Sequence, residues 1–301
     1  MSVATSHTAA SITRHRARRP PPPQLDRWEL AELVAETPWA RVYRARPTGS
    51  GASAPGRYAI KVVRDEIDPS AACALIEREW RIGRMVRHRS LVPVLDAQSE
   101  RPPYWIAMPW LDGRTLAERL QRGRLSEGIA LWYARQVAEA LAALDAAGWM
   151  HGDVKPTNVM VSTSGHVTLI DTAFARRRGE ARWTMDAEAI GTPQYMAPEM
   201  VVSALRPDIR SDIYSLGIVL YEMLSGDRPF GAWDVGELLR QHRDQRPRPL
   251  HEIVPRLSRG TSDLVGQMLA KEPLRRPQTP AELSERLARL EIERFTERIA
   301  V

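Results

Sequence analysis

The stretch HGDVKPTN, residues 151–158, places three polar side chains on a loop: Asp153, Lys155 and Asn158. A hairpin-like segment with the apolar runs VMVS and VTLI follows, and Asp171 stands directly after the second run. Two carboxylates and an amide held close together are the groups that activate a hydroxyl and hold Mg²⁺. The segment therefore predicts a site that takes a proton from a hydroxyl next to a metal ion.

A further carboxylate stands out nearer the N-terminus. In PSAACALIEREWRIGRMVRH, Leu75, Ile82 and Val86 recur at helical spacing, and Glu79 lies in the same stripe. A carboxylate on an apolar helix face needs a partner to offset the cost of its burial. The pattern predicts a helix whose Glu79 is bonded to a group from elsewhere in the chain.

Short β-like runs surround this helix. WELAELVA, RVYRA and YAIKVV precede it, and LVPVLDA and YWIAMPW follow it. The loop RPTGSGASAPG lies between two of these strands and precedes no helix, so its glycines are not a dinucleotide-binding fingerprint. The N-terminal part is therefore expected to be β-rich, with one important helix.

Beyond about Pro109 the pattern becomes mainly helical. The helical segments are EGIALWYARQVAEALAALDAAG, SDIYSLGIVLYEMLSG, DVGELLRQHRD, GTSDLVGQMLAK and PAELSERLARLEIERF. The expected fold is thus α+β and bilobal, with a small β-rich lobe before a larger α-rich lobe.

These motifs together resemble the eukaryotic-type (Hanks-type) serine/threonine protein kinases that occur in bacteria as well as eukaryotes, over about residues 28–290. The resemblance implies transfer of the γ-phosphoryl group of ATP to Ser or Thr hydroxyls of proteins, with Mg²⁺ or Mn²⁺. It makes Asp153 the acceptor of the hydroxyl proton and Lys155 the residue that steadies the phosphoryl group. Asn158, and Asp171 of DTA, are the implied metal ligands.

The resemblance also implies a nucleotide site. Lys61 of YAIK would hold the α- and β-phosphates, and Glu79 would pair with Lys61. The other residues expected at the nucleotide are Ala35 in the phosphate-covering loop, Val42 and Ala59 above the adenine, Met160 below it, and Met108, Trp110 and Leu111 at the lobe boundary. Backbone groups of Trp110 and Leu111 would bond the base.

A third set of motifs resembles the parts that hold a peptide substrate. GTPQYMAPE matches the peptide-receiving segment, where Glu199 is expected to pair with Arg276. Asp212 in SDIYSLG matches the buried aspartate that braces the catalytic loop. These motifs favour a protein kinase over the small-molecule kinases related to aminoglycoside phosphotransferases, whose catalytic loop also often contains HGD.

The phosphate-covering loop, LVAETPWARVYRA, departs from the family because it has no glycine. Ala35, Thr37 and Ala40 fill the glycine positions, Pro38 has no N–H, and Trp39 is expected to cap the phosphates. The lost freedom and donor should cost ~1–3 kcal/mol of ATP binding. We therefore expect a kinase with weakened nucleotide binding; the alternative is a pseudokinase that binds nucleotide or partners without turnover.

Two further departures concern DTA in place of DFG, and Gly152 in place of the usual arginine. A glycine has no side chain to meet a phosphate, so activity should not depend strongly on phosphorylation of the activation segment, where Thr184 is an available acceptor. The literal HRD at residues 242–244 is expected to be a helix end, and His166 a hairpin residue without a metal role.

Composition restricts the class of protein further. With 43% hydrophobic and 27% charged residues, the 301-residue chain is typical of globular proteins. The single cysteine, Cys73, cannot form an internal disulfide, so we expect a reducing, cytoplasmic setting. No apolar run of about 18 residues and no secretory signal occur, so we expect no membrane span.

The formal net charge of +6 is concentrated at the N-terminus, where residues 1–27 hold five arginines and one aspartate. TRHRARRPPPPQ is typical of a disordered or polyproline arm, and a nucleic-acid partner is not expected. We expect an arm over 1–26, the kinase N-lobe over 27–108, the C-lobe over 109–294 and a tail over 295–301. The motifs specify no oligomeric state.

Overall fold

The computed structural model describes residues 24–51, 55–180, 193–201 and 207–299. Within these residues a lobe built on one β-sheet precedes a helical lobe, which confirms the bilobal α+β fold. The strands are β1 Gln24–Leu25, β2 Trp28–Glu36, β3 Ala40–Pro47, β4 Tyr58–Val63, β5 Asp96–Gln98, β6 Trp105–Pro109, β7 Arg114–Thr115, β8 Trp149–Met150, β9 Val159–Val161, β10 Val167–Leu169 and β11 Arg176–Arg177. The helices are α1 Pro69–Met85, α2 Leu116–Leu120, α3 Glu127–Ala146, α4 Pro198–Val201, α5 Ile209–Ser225, α6 Val235–Asp244, α7 Leu250–Ile253, α8 Arg259–Met268 and α9 Pro280–Ile299.

The N-terminal sheet is antiparallel, with its strands in the order β1-β2-β3-β4-β6-β5. In its centre Lys61 on β4 lies opposite Val42 on β3 and Ile106 on β6. Ala59 lies opposite Met108 in the same ladder. The sheet thereby brings a lysine and several apolar residues to the border between the lobes.

Helix α1 begins after Asp68, whose carboxylate accepts hydrogen bonds from the N–H groups of Ser70 and Ala71 at 3.0 and 3.2 Å. Pro69 suits the first helical position because its missing N–H would have no partner there. The buried face of α1 holds Leu75, Ile76, Glu79 and Ile82, so Glu79 points into the protein as its position in the apolar stripe predicted.

The helical lobe is built around α5, most of whose residues are buried. It packs with α3 and α8 into the largest apolar cluster of the described residues. It ends at Ser225 and is capped by Gly226, whose φ of 93° suits glycine. The hairpin of β9 and β10 lies on this lobe in the predicted position and separates the catalytic-loop residues from Asp171. The buried helices thus anchor the loop that carries Asp153.

The expected strand over LVPVLDA is mostly wrong, because only its end joins β5, Asp96–Gln98. Leu91 instead forms a single bridge to Leu169 on β10, and the Val92 N–H donates to the Leu169 carbonyl at 3.0 Å. Pro93 has no N–H and cannot extend a ladder. This apolar run therefore links the two lobes.

The two ends of the described chain also differ from the expected boundaries. Strand β1, Gln24–Leu25, pairs with β2 although it falls within the expected arm, whose residues 1–23 lie outside the described residues. Helix α9 continues to Ile299, into the expected tail. No helix in the described part of the chain is long and apolar enough to cross a membrane.

Candidate active site

Asp153 lies on the loop between β8 and β9 and is almost completely buried, with 5% of its side chain exposed. Its Oδ2 accepts a hydrogen bond from Asn158 Nδ2 at 2.9 Å and lies 2.8 Å from Lys155 Nζ. Burial raises the pKa of Asp153, against the opposing effect of Lys155. The structure thus brings the two expected catalytic residues and one expected metal ligand together around one carboxylate.

Asp212, on the buried helix α5, holds the start of this loop. Its carboxylate accepts the backbone N–H of His151 at 2.5 Å and that of Gly152 at 2.8 Å. Burial raises the pKa of Asp212 to about 7, and the two N–H donors oppose that rise. The expected bracing contact is present.

Gly152 has a backbone reason to be glycine. Its φ is 78°, and a Cβ at this position would lie 2.6 Å from the carbonyl oxygen of Phe174. Both the positive φ and the close carbonyl disfavour any side chain. Glycine at this position therefore lets the loop of Asp153 approach the segment after Asp171, a contact that the motif alone does not indicate.

Lys61 is buried between two carboxylates. Its Nζ lies 3.0 Å from Glu79 Oε2 and 2.6 Å from Asp171 Oδ1. Burial raises the pKa of Glu79, whereas Lys61 overcomes the effect of burial at Asp171 and keeps its pKa low. The partner required by Glu79 is therefore Lys61, and Asp171 shares it.

Asp171 and Asn158 offer oxygen atoms of the kind that Mg²⁺ prefers. The amide nitrogen of Asn158 donates to the carbonyl oxygen and to Oδ2 of Asp153, both at 2.9 Å, so its amide oxygen is the atom suited to a cation. Asp171 has a φ of 68°, a left-handed conformation that aspartate tolerates better than most residues. The donor set fits a magnesium ion that also binds phosphate oxygens.

Most of the residues expected at the adenine lie together in one apolar cluster. Val42, Ala59, Met108, Trp110 and Leu111 belong to one apolar cluster. Met160 is half-buried on β9 in the helical lobe, and Ala35 is exposed near the end of β2. Ile170, which precedes Asp171, also packs against the cluster; its position after the second hairpin strand was the available signal, and the sequence interpretation missed it.

The expected base contact at the lobe boundary needs one correction. The Trp110 N–H donates to the carbonyl oxygen of Arg57 at 2.8 Å, so it is already used within the protein. The Trp110 ring stacks under the Arg44 guanidinium, 4.6 Å from the ring centroid, and its Nε1 donates to Asp112. Within this pair the backbone N–H of Leu111 is the remaining candidate donor.

The glycine-free loop closes on itself. The Thr37 N–H donates to the Ala40 carbonyl at 2.8 Å, and the Ala40 N–H donates to the Thr37 hydroxyl at 3.0 Å. The ring of Trp39 lies over Lys61, with 3.9 Å from Nζ to the ring centroid, and meets Phe174 edge-on at 5.6 Å. Trp39 thus covers the lysine itself, where we expected a cap over bound phosphates.

The peptide-receiving motif forms its expected ion pair. Arg276 binds both oxygens of Glu199, at 2.6 and 2.8 Å, and both side chains are buried. Such a two-bonded pair fixes the position of α4 relative to the end of the helical lobe. Thr184 and the first residues of this motif, 191–192, lie outside the described residues.

The literal HRD at residues 242–244 and the hairpin residue His166 both have structural roles. His242 lies in the last turn of α6, which ends at Asp244, so the literal HRD is a helix end as predicted. The Nε2 of His166 lies 2.9 Å from the carbonyl oxygen of Arg89, just before β10.

The described residues form a β-sheet lobe followed by a helical lobe. The site contains a buried aspartate, Asp153, and a lysine, Lys61, that contacts two carboxylates. This arrangement is that of the protein kinase fold. The family model for the protein kinase domain matches residues 39–287. The chain therefore belongs to the protein kinase family, which confirms the resemblance seen in its motifs.

Several relatives are bacterial kinases. The serine/threonine-protein kinase pkn2 of Myxococcus xanthus is 34% identical over 262 residues, which cover 81% of this chain and 31% of that protein. The serine/threonine-protein kinase PknB of Mycobacterium tuberculosis is 33% identical over 275 residues, 88% of this chain and 43% of PknB. PknB of Mycobacterium leprae is 32% identical over 278 residues, 90% and 44% respectively. The chain spans less than half the length of these relatives.

Proposed function

We propose that this chain is an ATP-dependent serine/threonine protein kinase whose nucleotide binding is weakened by its own phosphate-covering loop. The observation that carries the proposal is the group around Asp153: Lys155 and Asn158 both contact its Oδ2. Lysine at the Lys155 position also favours Ser/Thr over Tyr as the acceptor, by the family resemblance.

In the proposed reaction the oxygen of a Ser or Thr hydroxyl attacks the γ-phosphorus of ATP while the bond to the ADP oxygen breaks. Asp153 accepts the hydroxyl proton. Burial raises the pKa of Asp153, which makes this carboxylate a better proton acceptor than an exposed aspartate. Lys155, 2.8 Å away, places a positive charge where the phosphoryl group passes.

Lys61 is the proposed ligand of the α- and β-phosphates. It is held by Glu79 on α1 and by Asp171, so its position depends on both lobes. Asp171 and Asn158 would hold Mg²⁺, which neutralises phosphate charge when it is bound. Val42, Ala59, Met108 and the Leu111 N–H would receive the adenine, with Met160 on the opposite side.

The weakened binding rests on two features of the loop. Thr37 and Ala40 bond each other, so these two N–H groups are not directed at a phosphate. The Trp39 ring lies over Lys61 Nζ, so the ring must move before phosphates reach the lysine. The same features favour the second candidate, a pseudokinase that binds nucleotide or partners without turnover.

The test is to incubate the purified chain with labelled ATP, Mg²⁺ or Mn²⁺, and a generic basic protein. We expect phosphate on Ser or Thr of the chain and of the added protein. Asp153→Asn should lower turnover by several orders of magnitude while the thermal unfolding temperature stays close to that of the wild type. Asp263→Asn, on the exposed face of α8, is the matched control and should be fully active.

Absence of label with either metal would support the pseudokinase, and equal turnover of Asp153→Asn would remove Asp153 from the mechanism. The proposed partners are protein substrates, and the proposed setting is the cytoplasm, since the one cysteine, Cys73, has no partner for an internal disulfide.

A further inference from the structure

A cavity of about 830 Å³ lies beside the second half of α1, and none of the proposed catalytic residues lines it. Its walls come from α1 and from the segment that leads to β5. We call this cavity the α1 groove; the lining residues that bear on its chemistry are Trp80, Arg84, Arg87, Arg89, Val94 and Leu95.

The ionisable side chains of the α1 groove are all of the basic type. Its lining includes Arg84, Arg87, Arg89 and His88 and no Asp or Glu. Among the described residues, no carboxylate forms an ion pair with any of these three arginines. The acid that acts on His88, Glu139, is itself held by Arg135 at 2.5 Å. The groove thus holds several guanidinium groups without internal acidic partners.

The rest of the wall is apolar. Val94 is buried in the cluster next to the nucleotide residues, and Trp80 packs against the same cluster. The Arg84 guanidinium lies 5.0 Å from the Trp80 ring centroid, which keeps its N–H edge available for an acceptor. Leu95, just before β5, is 48% exposed at the groove, and Met85, the last residue of α1, is 51% exposed. A ligand of this groove would need both negative charge and an apolar side chain.

From these contacts we infer that the α1 groove is a docking site for an acidic peptide segment of another protein, one that carries an aliphatic or aromatic side chain between carboxylates. The apolar side chain would enter the cavity against Trp80 and Leu95, and the carboxylates would accept hydrogen bonds from Arg84, Arg87 and Arg89. Bonds of guanidinium to carboxylate are among the stronger polar contacts of proteins. This inference does not depend on phosphoryl transfer.

Charge complementarity and shape decide between this occupant and a nucleic acid. A phosphate backbone is best bound by a basic stripe along its length. Here three arginines lie within six residues of sequence around a concave, partly apolar cavity, which suits a short segment of polypeptide.

The binding test uses fluorescence anisotropy without nucleotide. The probe is a labelled peptide with the sequence Glu-Asp-Glu-Leu-Phe-Glu-Asp-Glu. One comparison peptide has every acid replaced by its amide, and another has Leu-Phe replaced by Ser-Ser. We expect saturable binding of the probe to the wild-type chain, and binding at least about tenfold weaker for both comparison peptides.

Variants locate the binding surface. Arg84→Glu with Arg87→Glu should weaken the probe at least about thirtyfold, because two attractions become repulsions. The same change at the exposed residues Arg122 and Arg124 on the helical lobe is the matched control and should alter affinity less than about twofold. Leu95→Ser should weaken binding about threefold or more. Arg84→Lys with Arg87→Lys keeps the charge and should retain most of the binding.

Three outcomes would overturn the assignment. Equal weakening by the groove and control variants would show a general charge effect. Tighter binding of a twelve-residue thymidine oligonucleotide than of the probe would assign the groove to nucleic acid. A change from dimer to monomer in light scattering, caused by the groove variants alone, would assign it to a second copy of the chain.

Discussion

The indole of Trp39 lies against the buried ammonium group of Lys61, with 3.9 Å from Nζ to the ring centroid. Trp39 also meets Phe174 edge-on, so one side chain of the β-lobe contacts both Lys61 and the segment after Asp171. Lys61 keeps its bonds to Glu79 and Asp171 beneath the ring. The contact between Lys61 and Glu79 is therefore formed before any nucleotide enters, but the Trp39 ring covers Lys61.

Removing the ring should improve binding of phosphates. A cation–π contact contributes ~0.5–2 kcal/mol, so Trp39→Leu should tighten ATP and ADP by about 2- to 30-fold. Adenosine, which has no phosphate to reach Lys61, should bind as it does to the wild type. Isothermal calorimetry with the three ligands measures this difference.

The control for this variant is Trp233→Leu, which removes an indole that is fully exposed on the helical lobe. It should leave all three affinities unchanged. Equal tightening of adenosine by Trp39→Leu would mean that the ring acts on the adenine side of the cleft, and weaker ATP binding would show that Trp39 holds phosphates when they are bound.

Restoring glycine at positions 35, 37 and 40 together tests the loop backbone. Without the Thr37 side chain, the Ala40 N–H loses the hydroxyl acceptor that it contacts at 3.0 Å and becomes available to a phosphate oxygen. ATP should bind roughly 5- to 150-fold more tightly, from ~1–3 kcal/mol of phosphate contacts, while adenosine changes little. Calorimetry again gives both values. If both ligands tightened equally, the loop would be acting on the whole pocket.

Sequence reasoning succeeded where one side chain carried a conflict that only one kind of contact resolves. Glu79 in an apolar stripe required a partner, and Lys61 is that partner. It failed for side chains and backbone groups whose contacts depend on residues distant in sequence. The Trp39 ring contacts Lys61 and Phe174. The Trp110 N–H donates to the Arg57 carbonyl. Both contacts depend on how separate segments of the chain come together. Residues 91–95 looked like a strand because β-propensity carries no information about which lobe supplies the partner.

Gly152 should not accept a side chain. In Gly152→Ala the new Cβ would lie 2.6 Å from the Phe174 carbonyl oxygen on a backbone with φ of 78°, which should cost ~1–3 kcal/mol of unfolding free energy. Denaturant unfolding measures the loss. Gly128→Ala is the matched control: Gly128 is the second residue of α3, has open space around it, and its replacement should stabilise the chain by ~0.4–1 kcal/mol. If the two changes had equal effects, the contact with Phe174 would have no role in requiring glycine.

His242 should make the helical lobe sensitive to acid. It is fully buried, with Nδ1 3.1 Å from the Tyr214 hydroxyl and Phe230 packed against its ring. Burial lowers the pKa of His242 to about 4, and the nearby Lys271, which donates to the His242 carbonyl at 2.6 Å, adds to that effect. The unfolded chain binds the proton near pH 6.5 and the folded chain only near pH 4, so the stabilisation from neutral His242 is complete above pH 6.5 and is lost as the pH falls to 4. That loss should reach about 3 kcal/mol.

His242→Gln should therefore show a smaller decrease in unfolding free energy between pH 7.5 and pH 4 than the wild type, measured by urea unfolding at each pH. The comparison at pH 7.5, where His242 is neutral in both states, corrects for the packing change of the variant. Parallel pH profiles for the two proteins would show that His242 takes up its proton equally in the folded and unfolded chain.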